Sequence, residues 1–148
     1  MRRLMLSLVL VMSGLSGVAA ADVNKLQGVW RPVKLERNGE LVRDAFHPEA
    51  SFVVAADFLL LKVGDTTLQK VRLTLVPGTK PTAVNLTSVS GPTRGETVHG
   101  IYRLDGKRLT FCWPLKKGQK RPVTFGQKGS GDVATLTLER VPGELSAR

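Results

Sequence analysis

The chain has 148 residues, 42% of them hydrophobic and 23% charged, a globular composition with no room for two full-sized domains. Twenty-two cations against 12 anions give a net charge of +10, and a single cysteine, Cys112, excludes an internal disulfide framework and any multi-cysteine metal site. With only His47 and His99 as histidines, no dedicated zinc centre is expected, and no phosphate loop, nucleotide fingerprint or Gly-x-Ser-x-Gly element points to a cofactor or a known catalytic turn.

Met1-Arg2-Arg3 is a short positive start, Leu4 to Val18 is an apolar run softened by serine and glycine, and Ala19-Ala20-Ala21 offers small residues for cleavage. Residues 1–21 therefore read as a secretory signal peptide. Its removal takes Arg2 and Arg3 with it and leaves residues 22–148 as one domain of net charge +8. The run is too short and too rich in Gly and Ser for a membrane anchor. The expected address is periplasmic or extracellular, with no membrane span in the mature chain.

From residue 22 onward the pattern is β throughout. A strand around Val29 to Glu36 runs into Asn38-Gly39, a tight-turn pair. Phe46 to Ala50 is long enough for one helical turn and no more. Phe52 to Val54 and Phe58 to Val63 are short apolar runs, the second closed by Gly64-Asp65. Val71, Leu73 and Leu75 share one face, Pro77 to Pro81 interrupts, and Val84 and Leu86 share the next face before the loop from Ser90 to Gly95. Ala134, Leu136 and Leu138 alternate with polar residues near the end. About eight short strands predict an all-β fold, an antiparallel up-and-down β-barrel or a sandwich.

The clearest hairpin centres on Asp105-Gly106. Read as a two-residue loop, it pairs Leu104 with Lys107, Tyr102 with Leu109, Gly100 with Phe111 and Val98 with Trp113, all on one face. The opposite face then carries His99 across from Cys112, Ile101 from Thr110 and Arg103 from Arg108.

Three blocks together carry a family resemblance: Leu26-Gln27-Gly28-Val29-Trp30, Gly100-Ile101-Tyr102-Arg103-Leu104-Asp105-Gly106, and Leu109 to Trp113 followed by Arg121 to Phe125 and Gly129-Ser130-Gly131. The chain resembles, from about Lys25 to Val141, a small secreted domain found in many copies in planctomycete bacteria and lipocalin-like in pattern. The resemblance implies a lipocalin-like barrel and an export signal, and no reaction. Gly28-x-Trp30 resembles the lipocalin opening motif, and Arg140 sits where lipocalins often place a last-strand arginine over that tryptophan. Read from the residues alone, Arg140 shares the inward face of Leu136 and Leu138 and needs a partner there, such as an aromatic ring. Strict alternation sets Trp30 against Val33 and Leu35, so a bulge at Pro32 is needed to restore the register.

Three functional readings follow. The leading one is a non-enzymatic lipocalin-like binder of a small apolar or amphipathic ligand, with Trp30, Tyr102, Phe111, Trp113 and Arg140 as candidate cavity residues. In the second, the acid-free stretch between Asp105 and Asp132 holds Lys107, Arg108, Lys116, Lys117, Lys120, Arg121 and Lys128. Its loop residues Lys116, Lys117, Lys120 and Arg121 are candidates for binding an acidic envelope polymer. Nucleic acid is not expected, because aromatic residues are not interleaved with the cations. The remote third reading is an enzyme that uses Cys112 and His99 as nucleophile and base.

Overall fold

The computed structural model describes residues 22–126 and 132–142. The signal-like stretch, Lys128 and the Gly129-Ser130-Gly131 block lie outside the described residues.

Eight strands follow one another as an antiparallel meander and close on themselves. They are β1 (Gly28–Arg37), β3 (Ala50–Ala55), β4 (Phe58–Val63), β5 (Thr66–Val76), β6 (Thr82–Ser88), β7 (Thr97–Asp105), β8 (Arg108–Pro114) and β9 (Val133–Arg140). A two-residue β2 (Glu40–Leu41) only extends the end of β1. Pairing of β1 with β9 removes both sheet edges and makes the all-β, lipocalin-like up-and-down barrel. A helical turn over 22–24 precedes β1 and seats Leu26 over the Trp30 end of the barrel, 1% exposed.

Local chemistry accounts for most turns. Asn38 and Gly39 both hold positive φ, 53° and 82°, so Arg37 faces Glu40 across a two-residue type I′ turn. The tight connections 56–57 and 64–65 join β3 to β4 and β4 to β5, and Ala56 accepts a φ of 54°. Residues 46–49 make no helix; the backbone N–H of Ala50 donates to the carbonyl of His47 and closes a single turn.

The bulge expected at Pro32 is present. Pro32 pairs with Leu138 and Lys34 with Thr137, so Val33 is the extra residue, pushed outward and 40% exposed. Trp30 and Leu35 consequently both face inward, opposite Arg140 and Leu136.

The core fills the barrel at the Trp30 end. Leu26, Trp30, Val54, Leu59, Leu73, Val84, Leu109, Phe111 and Leu138 are buried there in one cluster. Toward the opposite end the core-facing Leu35, Phe46, Leu61, Leu86 and Trp113 are only partly buried. A second, smaller core lies outside the sheet, where Ile101, Cys112 and Val133 are buried beneath Phe125. The long loop after β8 folds back across β7 and β8 to make it.

The β7–β8 hairpin corrects the expected register. Asp105 pairs with Arg108, Leu104 with Leu109, Arg103 with Thr110, Tyr102 with Phe111 and Ile101 with Cys112. The turn residues are Gly106 and Lys107, with Gly106 at φ 58° in the first central position, as a type II′ turn requires. The two strands have slid by two residues relative to the expected pairing. An even slide keeps every side chain on its face, so Tyr102, Leu104, Leu109 and Phe111 still face the core. It does separate the proposed His99–Cys112 pair.

Candidate functional site

The slide dismantles the thiol–imidazole arrangement. Cys112 lies opposite Ile101, is fully buried, and points its thiol at the Thr124 carbonyl 3.9 Å away. His99 pairs instead with Asn85 on β6, and its Nδ1–H donates to Asn85 Oδ1 at 2.9 Å. His47 takes part in a local turn, its Nδ1 accepting the backbone N–H of Glu49 at 3.0 Å.

The five cavity candidates divide by depth. Trp30 and Phe111, 0% and 1% exposed, are core residues without access to solvent. The Trp30 indole N–H donates to the Leu26 carbonyl at 2.9 Å and ties the segment before β1 over the barrel end. Arg140 stacks on Trp30, with its guanidinium carbon 4.3 Å from the ring centre. It also donates to the carbonyls of Gln27 and Lys25, each at 2.7 Å. It therefore clamps that segment to the barrel. Trp113 is half-buried toward the other end.

Tyr102 is different, because it lines a cleft of about 830 Å³ at the Leu26 end. The sheet itself opens there. Pairing of β6 with β7 begins at Thr82 and Tyr102, while β7 continues to Asp105 along β8 alone. The interval left beside Arg103 and Leu104 is bordered by the Pro77–Thr82 connection, by Lys25 and Leu26, and by Val123 to Phe125 of the returning loop. The apolar floor is Leu104 and the ring of Tyr102, which packs against Phe111 with centroids 6.3 Å apart; Leu26 lies buried beneath it. Burial pushes the Tyr102 hydroxyl above its ordinary pKa, and the nearby Asp22 carboxylate adds to the shift. The phenol is thus held as a neutral donor and acceptor at the cleft wall. On the outer lip the Arg103 guanidinium lies 4.6 Å above the Phe125 ring.

The basic loop is two structures in one. Arg121 is half-buried and serves as an anchor. Its guanidinium donates to the carbonyls of Val84 at 3.2 Å and Gly100 at 2.7 Å, and to Asn85 Oδ1 at 2.9 Å. Lys116 and Lys117 are exposed, and each sits 3.5 Å from a carboxylate, Asp132 and Glu96 respectively. Lys120 is exposed without an ion pair among the described residues. Asp132 is held below its usual carboxylate range first by a hydrogen bond from Asn38 and then by Lys116.

Sequence reasoning missed the cleft itself. The sequence marks Arg103 and Leu104 only as hairpin residues and gives Lys25 and Lys80 no role, since the cleft gathers four segments far apart in the chain. The one local signal was the Pro77-Gly78 to Pro81 interruption, which bends the chain away from β7.

Comparison of the chain with protein-family models, with curated proteins and with solved structures finds no match.

Proposed function

We propose that this protein is a non-enzymatic, exported binder of a small amphipathic ligand, and that the cleft beside Tyr102 is its site. The observation that carries the reading is the cleft of about 830 Å³, with an apolar floor and polar groups at its lip, set beside a buried core at the same end of the barrel. Small-molecule sites have this size and this mixture of a few placed polar groups on an apolar surface. A non-enzymatic role is supported by the separation of Cys112 from His99.

Native mass spectrometry of the protein purified from its own source tests the reading. A retained small molecule, lost in Leu104→Gln and kept in Leu86→Gln at the opposite end of the barrel, is the expected result. Retention that Leu86→Gln abolishes and Leu104→Gln spares would move the site to the other end.

The exposure of the Lys116 and Lys117 side chains, 74% and 91%, favours a second reading, in which this loop binds an acidic envelope polymer. Binding would then be electrostatic and fall steeply with salt. The reversals Lys117→Glu and Lys120→Glu would weaken it with little change in thermal stability. Undetectable wild-type binding to acidic polysaccharide at about 0.15 M salt retires this reading.

A further inference from the structure

We propose that the ligand of the Tyr102 cleft is an amphipathic anion, a small molecule with an apolar body and a carboxylate or sulfonate head. This rests on the cleft being the binding site, and adds the sign and position of the ligand's charge.

Three cations border the cleft, Lys25, Lys80 and Arg103, against one acid, Asp22. None of the three has a carboxylate partner among the described residues. Arg31, Lys34, Arg37, Arg72, Arg108, Lys116 and Lys117 have carboxylate partners, while Arg43, Arg94, Lys107 and Lys120 have none among the described residues; what sets Lys25, Lys80 and Arg103 apart is that they border one concave surface. Unneutralised cations gathered on a concave, partly apolar surface focus a positive potential into it and raise the local concentration of anions.

Arg103 is the best placed of the three. Its guanidinium lies over the Phe125 ring, and its N–H groups have no protein acceptor among the described residues. A planar fork of free donors is the geometry that a planar carboxylate or a sulfonate takes up with two parallel hydrogen bonds. Beside it, Leu104 and the ring of Tyr102, both only partly buried, receive an apolar body. The Tyr102 hydroxyl, a neutral phenol at ordinary pH, belongs to a residue that lines the same cleft and is a further donor. A neutral apolar ligand would use the floor and leave the rim unused. A fully polar anion would use the rim and waste the floor.

The test uses two probes with the same aromatic frame, 1-anilinonaphthalene-8-sulfonate and its uncharged counterpart N-phenyl-1-naphthylamine, titrated by fluorescence into the full chain. The sulfonate is expected to bind at least about tenfold more tightly at low salt, a gap that narrows as screening shortens from about 10 Å at 0.1 M to about 3 Å at 1 M. Lys80→Gln with Arg103→Gln is expected to abolish the preference while leaving the uncharged probe within about twofold. The control pair Lys116→Gln with Lys117→Gln is expected to change neither. Near-UV circular dichroism verifies the fold of each variant, and the salt titration of the wild-type chain needs no variant at all. Equal affinities that do not respond to salt would overturn the inference, as would a preference that survives the rim substitutions or disappears in the control. In those cases a Leu104-dependent uncharged probe would leave the binding site itself in place. Failure of both probes to bind the folded chain would overturn the site, and the inference with it.

Discussion

The Arg140 guanidinium lies over the Trp30 ring, 4.3 Å from guanidinium carbon to ring centre, although 109 residues separate the two in the chain. The two are also direct partners in the β1–β9 ladder. One side chain thus joins the first strand, the last strand and the segment that covers the barrel end. A desolvated stack of this kind contributes about 1–2 kcal/mol, and a hydrogen bond from a charged donor about 1.5–3 kcal/mol. Arg140 is partly exposed, which reduces both, and the contributions are not additive. Arg140→Ala is therefore expected to cost about 2–4 kcal/mol, and Arg140→Lys about half of that. Urea unfolding followed by tryptophan fluorescence measures both, and a loss below about 0.5 kcal/mol for the alanine variant would reduce the clamp to a surface contact.

Gly100 answers to a different constraint. It sits just past the last β7–β8 pair, where a Cβ would come within 2.6 Å of the Cys112 carbonyl oxygen and 3.3 Å of the Trp113 Cβ. Backbone cannot give way as a side-chain tip can. Gly100→Ala is expected to destabilise by about 1–3 kcal/mol, the usual cost of overpacking. The same substitution at Gly91, where nothing lies within 4 Å but φ is 78°, costs only the backbone strain of about 1 kcal/mol. Thermal unfolding of the two variants side by side ranks them.

The thiol of Cys112 reports on the returning loop. It is buried under Thr124 and Phe125, and Arg121 holds that loop to β6 and β7. Native alkylation is expected to be slow. Arg121→Met removes three hydrogen bonds and is expected to speed labelling at least about tenfold, which corresponds to about 1.4 kcal/mol less cost of local opening. His99→Ala is expected to leave the rate unchanged. A rate that falls with His99→Ala would restore the thiol–imidazole reading.

The chain holds a single tyrosine, so alkaline absorbance titration reads Tyr102 alone. Its raised pKa means that the folded state keeps a proton that the unfolded chain releases near pH 10.0. This contribution to stability is complete below that value and is lost as pH rises through the native pKa. Tyr102→Phe is expected to remove the alkaline part of the stability profile, and Asp22→Asn to lower the pKa slightly. A tyrosine that titrates normally in the folded protein would place the hydroxyl in open water.

Much of the barrel was legible because its signals are local. Alternation identified the inward faces of β5, β6 and β9, Asn38-Gly39 set its own turn, and Pro32 announced the bulge that lets Trp30 and Leu35 face the same way. The β7–β8 register was not legible. Asp105-Gly106 satisfies more than one two-residue turn, and only packing against β6 and β9 decides that Gly106 takes the first central position. The faces survived because the slide is even; the cross-strand partners did not. Arg121 looked like one more charge in a basic run, since nothing local marks the Val84 and Gly100 carbonyls as its targets. Cys112 reads as a buried thiol from its place in an apolar strand and is one; Ile101 looked like part of an outer face and is buried because the returning loop covers it. The cleft is assembled entirely from such distant contacts, and only one of its walls, Tyr102, is a cavity candidate in the sequence.

The pairing of β1 with β9 also sets the order of events in folding. Until residues 133–140 are in place, β1 and β8 each present an unpaired edge, open to register slips and to pairing with other chains. Closing a loop of this length is entropically expensive, and the contacts that reward it are among the most non-local in the molecule. Closure is thus expected late, with substitutions at Leu136 or Leu138 speeding unfolding more than they slow folding, as a denaturant chevron would display. A chain cut short of β9 would lose more than one strand in eight. It would keep its sheet but lose its inside, leaving a sticky ribbon where the closed barrel wraps a buried core.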